Sequence, residues 1–549
     1  MRLLFPIKER KRALVGAKYL HTVDMANSFE KDKETVEVTF DYVEPKKLAD
    51  VVPNYGKYWW HVPHLRRLNL ILLVPIVTTY VPGYDGSMFN GMQSMTSWRE
   101  EFGHPTGPKL GLLATVQTIG SIASMPIAPY VSDRFGRRWP IFFGSIIVVV
   151  GAVVQCMATN TGMFAGARAL VGFGTGIATT SGAPLMAELA YPTHRAISTA
   201  VYTTFWYLGS MVAAWASYGT YHLDSSWSWR LPPLVQAIPS VFQILFIFLV
   251  PESPRWLLAN GQSERAEREL AYWHGGSTKP TKLVEYELEE IKSALRNEVA
   301  QKTSSYRHFI TTPGNRYRLF ITICLGLVVQ WCGNGVATYY LTPILDHMGI
   351  HDPATQNLIS SALQTFNYFV AVGSSFVIDR AGRRPLLLAS MAGMCLSLVA
   401  WTAISAVNEE QAHAQRGLGI GIIVMIFIYF FFYNMALNPV PMSYLLEVLP
   451  FTLRAKGVTL YSQTQFFSSV FFGFINPIAM EAIEWRYYIV FACLTCGWFF
   501  IIWRYFPETQ GRTLEDVAEI FDGKSGMELE RQSSSSEVSS EVSSEVTLG

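Results

Sequence analysis

The chain has 549 residues, of which 50% are hydrophobic and only 15% charged, against a usual charged share near 25%. A formal net charge of +1 removes the basic excess that a nucleic-acid binder needs, so no nucleic-acid partner is expected. The cysteines Cys156, Cys324, Cys332, Cys395, Cys493 and Cys496 all fall inside apolar runs. They read as small buried hydrophobes, with no disulfide framework, metal site or cofactor motif.

In chain order, residues 1–66 form an N-terminal tail without the apolar core of a cleaved signal peptide, so the first span is expected to be its own insertion signal. Apolar runs long enough to cross a bilayer lie near 68–94, 110–131, 139–159, 163–187, 197–220 and 231–250, making a first half over 67–251. A polar linker, 252–316, follows. It contains two charge-laced amphipathic segments, Ser263–Leu270 and Val284–Ile291, that predict short surface helices. Six more runs lie near 317–345, 355–378, 385–407, 417–445, 456–479 and 486–506, a second half over 317–506. Residues 507–549 form a tail ending in Ser-Ser-Glu-Val repeats, a composition expected to be disordered.

The halves carry the same punctuation in the same order. Asp133-Arg-Phe-Gly-Arg-Arg138 returns as Asp379-Arg-Ala-Gly-Arg-Arg384. Glu188, seven residues before Arg195, returns as Glu447, seven before Arg454, and Pro251-Glu252 returns as Pro507-Glu508. The offsets of 246, 259 and 256 residues predict an all-α membrane protein of twelve transmembrane helices in two pseudo-symmetric six-helix halves, a transporter architecture. Arginines and lysines concentrate in the 2–3, 8–9 and 10–11 loops, whereas Ala158–Gly162 has none. The positive-inside rule then puts both termini and the linker in the cytoplasm. No motif assembles a nucleophile, base or metal centre, so an enzyme is not expected.

A carboxylate and an arginine at a helix end can clamp two helices. Twin clusters, Glu188, Arg195, Arg137, Arg255 and Glu447, Arg454, Arg383, Arg512, read as inner gates that break when the cavity opens. Asp133, Arg138, Asp379 and Arg384 belong to the same motifs. The alternative is that the arginines only enforce topology.

With Arg168–Gly176, Trp229–Pro232, Pro251–Trp256 and Pro507–Arg512, these motifs resemble, over roughly residues 66–520, the sugar porter family of the major facilitator superfamily. Within it the chain looks most like the fungal branch of lactose permeases and cellodextrin transporters. The resemblance implies that the charged clusters form an intracellular salt-bridge network.

Asp85, in Gly83-Tyr-Asp-Gly86, lies roughly 25 Å along a helix starting at Leu68, in the outer half of the bilayer. Span 4 runs the other way and brings Arg168 to similar depth. Intramembrane charges are costly and by default functional, and a carboxylate whose arginine partner moves can take up and release a proton. The alternative is a static ion pair. The family's proton-coupled members resemble this chain in having an acid here and an arginine in span 4, although some fungal facilitators keep the acid.

A sugar needs amides, hydroxyls and aromatic faces. Span 7 offers Gln330, Asn334, Tyr339 and Tyr340; span 8, Asn367; span 10, Tyr433 and Asn434; span 11, Gln465. Asn438 reads as an interhelical packing partner instead. The resemblance places Gln330, Tyr339, Tyr340 and Asn367 on the family's sugar-contact pattern. It also marks departures: Val329 for a glutamine, Thr203 at a span-5 glutamine position, Met442 at a span-10 tryptophan position and Gln465 at an asparagine position. Loss of bulk at Met442 and Thr203 suits a longer substrate. The expectation is a monomeric, proton-coupled symporter of a lactose- or cellobiose-like sugar in a plasma membrane. Alternatives are an uncoupled facilitator, a carrier of a polyol or other metabolite, and a nutrient sensor.

Overall fold

The computed structural model describes residues 51–522 except 54–55, 302–305, 348, 375–380, 412–415, 511, 513–515 and 518. Among these residues every regular element is helical. Seven stretches are long and apolar enough to cross a membrane, and an eighth is the pair Gly107–Ser124 and Ala128–Phe135, bent by 44°. One of the seven, Lys456–Tyr505, runs through most of one span, Phe451–Ile483, and all of another, Tyr487–Tyr505. Three further helices, Thr161–Leu189, Arg195–Tyr221 and Pro353–Ser374, have the length to cross but carry many Gly, Ser, Thr, Asn and Gln. The twelve spans form the expected six-plus-six arrangement.

The repeat is visible in which spans touch. In the first half, span 1 packs on 5, 2 on 4, 3 on 4 and 3 on 6. In the second, 7 packs on 11, 8 on 10, 9 on 10 and 9 on 12. Raising every number in the first list by six gives the second. The halves meet where span 2 packs on 11 and span 5 on 8, contacts related by the same rule.

Lipid supplies no hydrophobic drive between helices, so packing must be close, and small residues permit it. A Cβ on Gly83 would overlap the Trp206 carbonyl, and one on Gly209 the Tyr80 carbonyl, which locks spans 1 and 5. Gly120 and Gly172 do the same between spans 2 and 4, against the carbonyls of Ala169 and Gln117. These approaches hold spans 1 and 5, and spans 2 and 4, of the first half in close contact.

Two spans are broken where function could use a break. Span 7 stops at Gln330 and restarts at Asn334 after Gly333, whose φ of +97° is a left-handed conformation suited to glycine. Span 10 stops at Ala436 and restarts at Val440, with Pro439 and Pro441 at the break.

Between spans 6 and 7 lie the helices Pro254–Ala259, Ser263–Trp273 and Lys282–Gln301, which bury Leu257, Ala266, Leu270, Val284 and Leu288 among themselves. This bundle sits against the end of span 4. There His274 bridges the Glu287 carboxylate at 2.8 Å and the Leu189 carbonyl at 3.1 Å. The face that carries it is called the linker side below; the opposite face is the far side.

Candidate functional site

Between the halves lies a cavity of ≈ 450 Å³, within the range of about 300–1,000 Å³ usual for small-molecule sites. Its wall includes Thr79, Pro82, Gln117, Thr118, Ser121, Thr203, Trp206 and Tyr207 from the first half. The second half supplies Gln330, Asn334, Thr338, Gln364, Asn367, Phe430, Tyr433, Asn434, Asn438, Gln465, Phe466 and Ser469. The amides are tied to one another. Asn334 donates to the Tyr433 hydroxyl at 3.0 Å and accepts from Thr338 at 2.9 Å, and Gln465 donates to Tyr461 at 2.8 Å. Asn434 donates to Asn367 at 3.0 Å, and Asn367 to Gln364 at 3.4 Å. Such a lining offers directional partners to hydroxyl groups and aromatic faces to C–H surfaces.

Above the cavity the far side is shut by contacts that cross between the halves. Arg99 pairs with Asp346 at 2.8 Å, Asn357 donates to Ser94 at 2.7 Å, and Asn90 reaches Ser360 and Thr342. These contacts tie the two halves together on the far side.

Not every residue singled out in the sequence reaches the wall. Tyr340 is buried and donates to the Gly473 carbonyl at 2.7 Å, because the break at Gly333 turns this part of span 7 toward span 11. Met442 is 42% exposed and does not line the cavity. After the proline break, Val440, Tyr444, Leu445 and Val448 take the buried face of the helix, and Met442 lies on its exposed face. Asn438, read as a packing residue, does line the wall. The side chain of Tyr339 lies outside the described residues. Gln117, Trp206, Tyr207 and Gln364 were missed; their only signal is polarity or aromaticity on spans that face the other half.

Asp85 and Arg168 meet inside the first half, apart from the cavity wall. The Asp85 carboxylate lies 2.8 Å from an Arg168 guanidinium nitrogen, and the side chains are 0% and 1% exposed. Gln236 of span 6 donates to the second carboxylate oxygen at 3.2 Å, and the guanidinium lies 4.3 Å from the Phe89 ring centroid. A guanidinium on one carboxylate oxygen, an amide on the other and an aromatic face over the cation together hold this charge in a dry place.

At the linker side each half ends in the same device. Glu252 accepts the backbone N–H groups of Arg137 at 2.9 Å and Arg138 at 3.4 Å, at the start of span 3. Glu508 accepts those of Arg383 at 3.1 Å and Arg384 at 3.0 Å, at the start of span 9. A carboxylate thus caps the positive end of each helix. Arg138 and Arg384 donate to the carbonyls of Phe248 and Trp503 in the last turns of spans 6 and 12, where helix carbonyls lack intrahelical donors. Arg137 lies 3.6 Å from Glu188, and Arg383 lies 3.1 Å from Glu447. Ser253 bonds Glu188 as Thr509 bonds Glu447. Asp133, exposed near the end of the helix Ala128–Phe135, pairs with Arg137 at 3.0 Å.

The ion pairs differ from the spacing-based pairing in one respect. Arg137, not Arg195, is the paired cation of Glu188; Arg195 and Arg255 face Glu188 across a cavity of ≈ 240 Å³ beneath the linker helices. Arg454 is half-buried one turn into span 11, Arg512 is exposed, and Asp379 lies outside the described residues. Glu252 and Glu508, noted in the sequence only as marks of the repeat, prove to be the caps.

The model of the family described as "Sugar (and other) transporter" matches residues 71–521. The chain belongs to this sugar transporter family. Its members are membrane transporters, not enzymes. Among curated relatives, the high-affinity glucose transporter of Kluyveromyces lactis is 24% identical over 85% of this chain and 87% of its own length. The MFS-type transporter criB of Aspergillus cristatus is 26% identical over 83% and 94%. Among solved structures, the inward-open xylose transporter XylE from E. coli superposes with a TM-score of 0.69 at 22% identity, covering 83% of this chain and all of that one. The likeness to that structure shows a shared fold.

Proposed function

We propose that this transporter is a proton-coupled sugar symporter, and that its linker side faces the cytoplasm of the cell whose plasma membrane it occupies. The observation that carries the coupling is the buried Asp85–Arg168–Gln236 cluster. Burying an ion pair is a poor way to gain stability, and the arginine can hold or release the carboxylate as spans 1 and 4 shift. One similar structure is described as that of a proton:xylose symporter, which supports the reading. The arginine-rich linker side supports the orientation, and the twin glutamate–arginine clusters support a gate that closes there.

A lactose- or cellobiose-like disaccharide is proposed on Thr203 alone, a short side chain in the cavity wall, since Met442 contributes no room. The relatives named as glucose transporters favour a hexose as the competing cargo. An uncoupled facilitator is the second reading, favoured by the complete enclosure and pairing of Asp85.

The test is uptake of labelled D-glucose, D-xylose, lactose and cellobiose by a transporter-null yeast, with and without an uncoupler. Accumulation that the uncoupler collapses is expected. Asp85→Asn should abolish accumulation while counterflow exchange survives, because asparagine mimics the protonated acid. Uphill uptake in that variant puts the proton site elsewhere; a wild type that only equilibrates sugar is a facilitator.

A further inference from the structure

The hydrogen bonds of the cavity wall described above join second-half residues to one another. A further one crosses between the halves. Tyr207 of span 5 donates its hydroxyl to the side-chain carbonyl of Asn434 of span 10 at 2.7 Å, with the two residues 7% and 0% exposed. Asn434 passes the bond on to Asn367 of span 8 at 3.0 Å. The chain thus runs from a phenol in the first block through two amides in the second.

Tyr207 cannot drift relative to its own half. Span 5 is locked to span 1 by Gly83 and Gly209, and Ser210, three residues on, donates to the Gly83 carbonyl at 2.9 Å. The ring of Trp206 stands edge-on at 5.0 Å. The Asn434 carbonyl, in turn, is an acceptor at the cavity wall that a sugar hydroxyl would need. Tyrosine and sugar compete for the same buried carbonyl oxygen.

We propose that Tyr207 is a latch of the empty carrier. Its hydroxyl occupies Asn434 while the cavity is vacant, stabilises the linker-open state, and is displaced when a sugar hydroxyl takes the amide. This deepens the sugar-transport reading and rests on it for the identity of the competitor. Tyr207 is then a positioning residue that tunes affinity, and no sugar contact is required of it.

Tyr207→Phe removes the hydroxyl and little else. In purified protein, binding of D-glucose, D-xylose, lactose and cellobiose is compared by titration. The sugars that bind wild type should bind the variant about 3- to 10-fold tighter, the factor of one net hydrogen bond. The gain should vanish in an Asn434→Ala background, as a double-mutant cycle requires. Unchanged or weaker binding overturns the latch and makes the hydroxyl a sugar ligand or a packing group.

A second measurement needs no sugar. In a Thr203→Cys protein, the rate of modification by a thiol reagent reports linker-side opening, with the Thr203 parent as blank for the native cysteines. Adding Tyr207→Phe should slow it about threefold; an unchanged rate overturns the latch. If no sugar binds wild type while this rate falls, the latch stands and the sugar reading fails. If Tyr207→Phe does not purify as a folded protein, Asn434→Ala on the Thr203→Cys protein must show the same slowing, and its absence overturns the latch.

Discussion

The two halves are twins at the linker-side rim and strangers in the interior. At the rim, Glu252 and Glu508 cap spans 3 and 9, Arg138 and Arg384 reach the ends of spans 6 and 12, and Ser253 and Thr509 attend Glu188 and Glu447. Inside, the first half holds a sealed ion pair, Asp85 with Arg168, while the second supplies the amides Gln330, Asn334, Gln364, Asn367, Asn434 and Gln465. The rim has kept the symmetry of the repeat. The interior has divided its labour, one block carrying a buried charge and the other most of the polar wall.

The largest effect should come from breaking the asymmetric interior. Arg168→Ala strands Asp85 as an unpaired buried charge, a loss of about 3–5 kcal/mol. Uptake and counterflow should both fall at least 100-fold, and thermal stability in detergent should drop. An Arg168→Ala protein that transports at the wild-type rate would remove the ion pair from the mechanism.

The next effect tests the twin rims. Glu188→Gln and Glu447→Gln should each reduce maximal uptake about tenfold at equal surface abundance, a shift of about 1.4 kcal/mol in the balance of states. The loss should be greater for Glu188, the more buried at 15% exposed against 27%. Wild-type rates in both would leave the arginines with topology alone.

The smallest effect is a difference in stability that separates the twins sterically. Gly136 and Gly382 have φ of +90° and +85°, in extended conformations with positive φ that are essentially restricted to glycine. Alanine at either should cost about 1–3 kcal/mol. An added Cβ would stand 2.5 Å from the Glu252 carboxylate in the first half, but 2.9 Å from the flexible Gln510 side chain in the second. The melting temperature should therefore fall further for Gly136→Ala, and equal shifts would mean that the two caps yield alike.

The fold is legible in the sequence because loops bear its marks: arginines, glycines and glutamates recur in order while lipid-facing helices repeat nothing. The approach of Asp85 to Arg168 follows from antiparallel spans and a constant rise per residue. Gln236 does not, since a lone amide in an apolar run has no period to betray its face. Met442 takes a cavity role from its place in a pattern, but it follows a proline break and is absent from the cavity wall, and the face a side chain takes after such a break is set by packing that no local spacing records. Trp206 and Tyr207 are hidden for another reason. Aromatic side chains are so common in this chain that only the facing half distinguishes wall from packing.

The enclosure of Asp85 also bears on how the protein is made. Span 1 enters the bilayer carrying a carboxylate whose partner, Arg168, is 83 residues further along the chain. At roughly 5–20 residues per second of synthesis, that interval is several seconds. During it an acid whose insertion costs up to about 2.5–3.5 kcal/mol, the figure for the helix centre, has no guanidinium to meet. Span 1 must therefore wait, protonated or still sheltered by the insertion machinery, until span 4 is delivered. The ion pair thereby sets an order of assembly for the first half, a constraint that the second half, with no such pair in its interior among the described residues, does not carry.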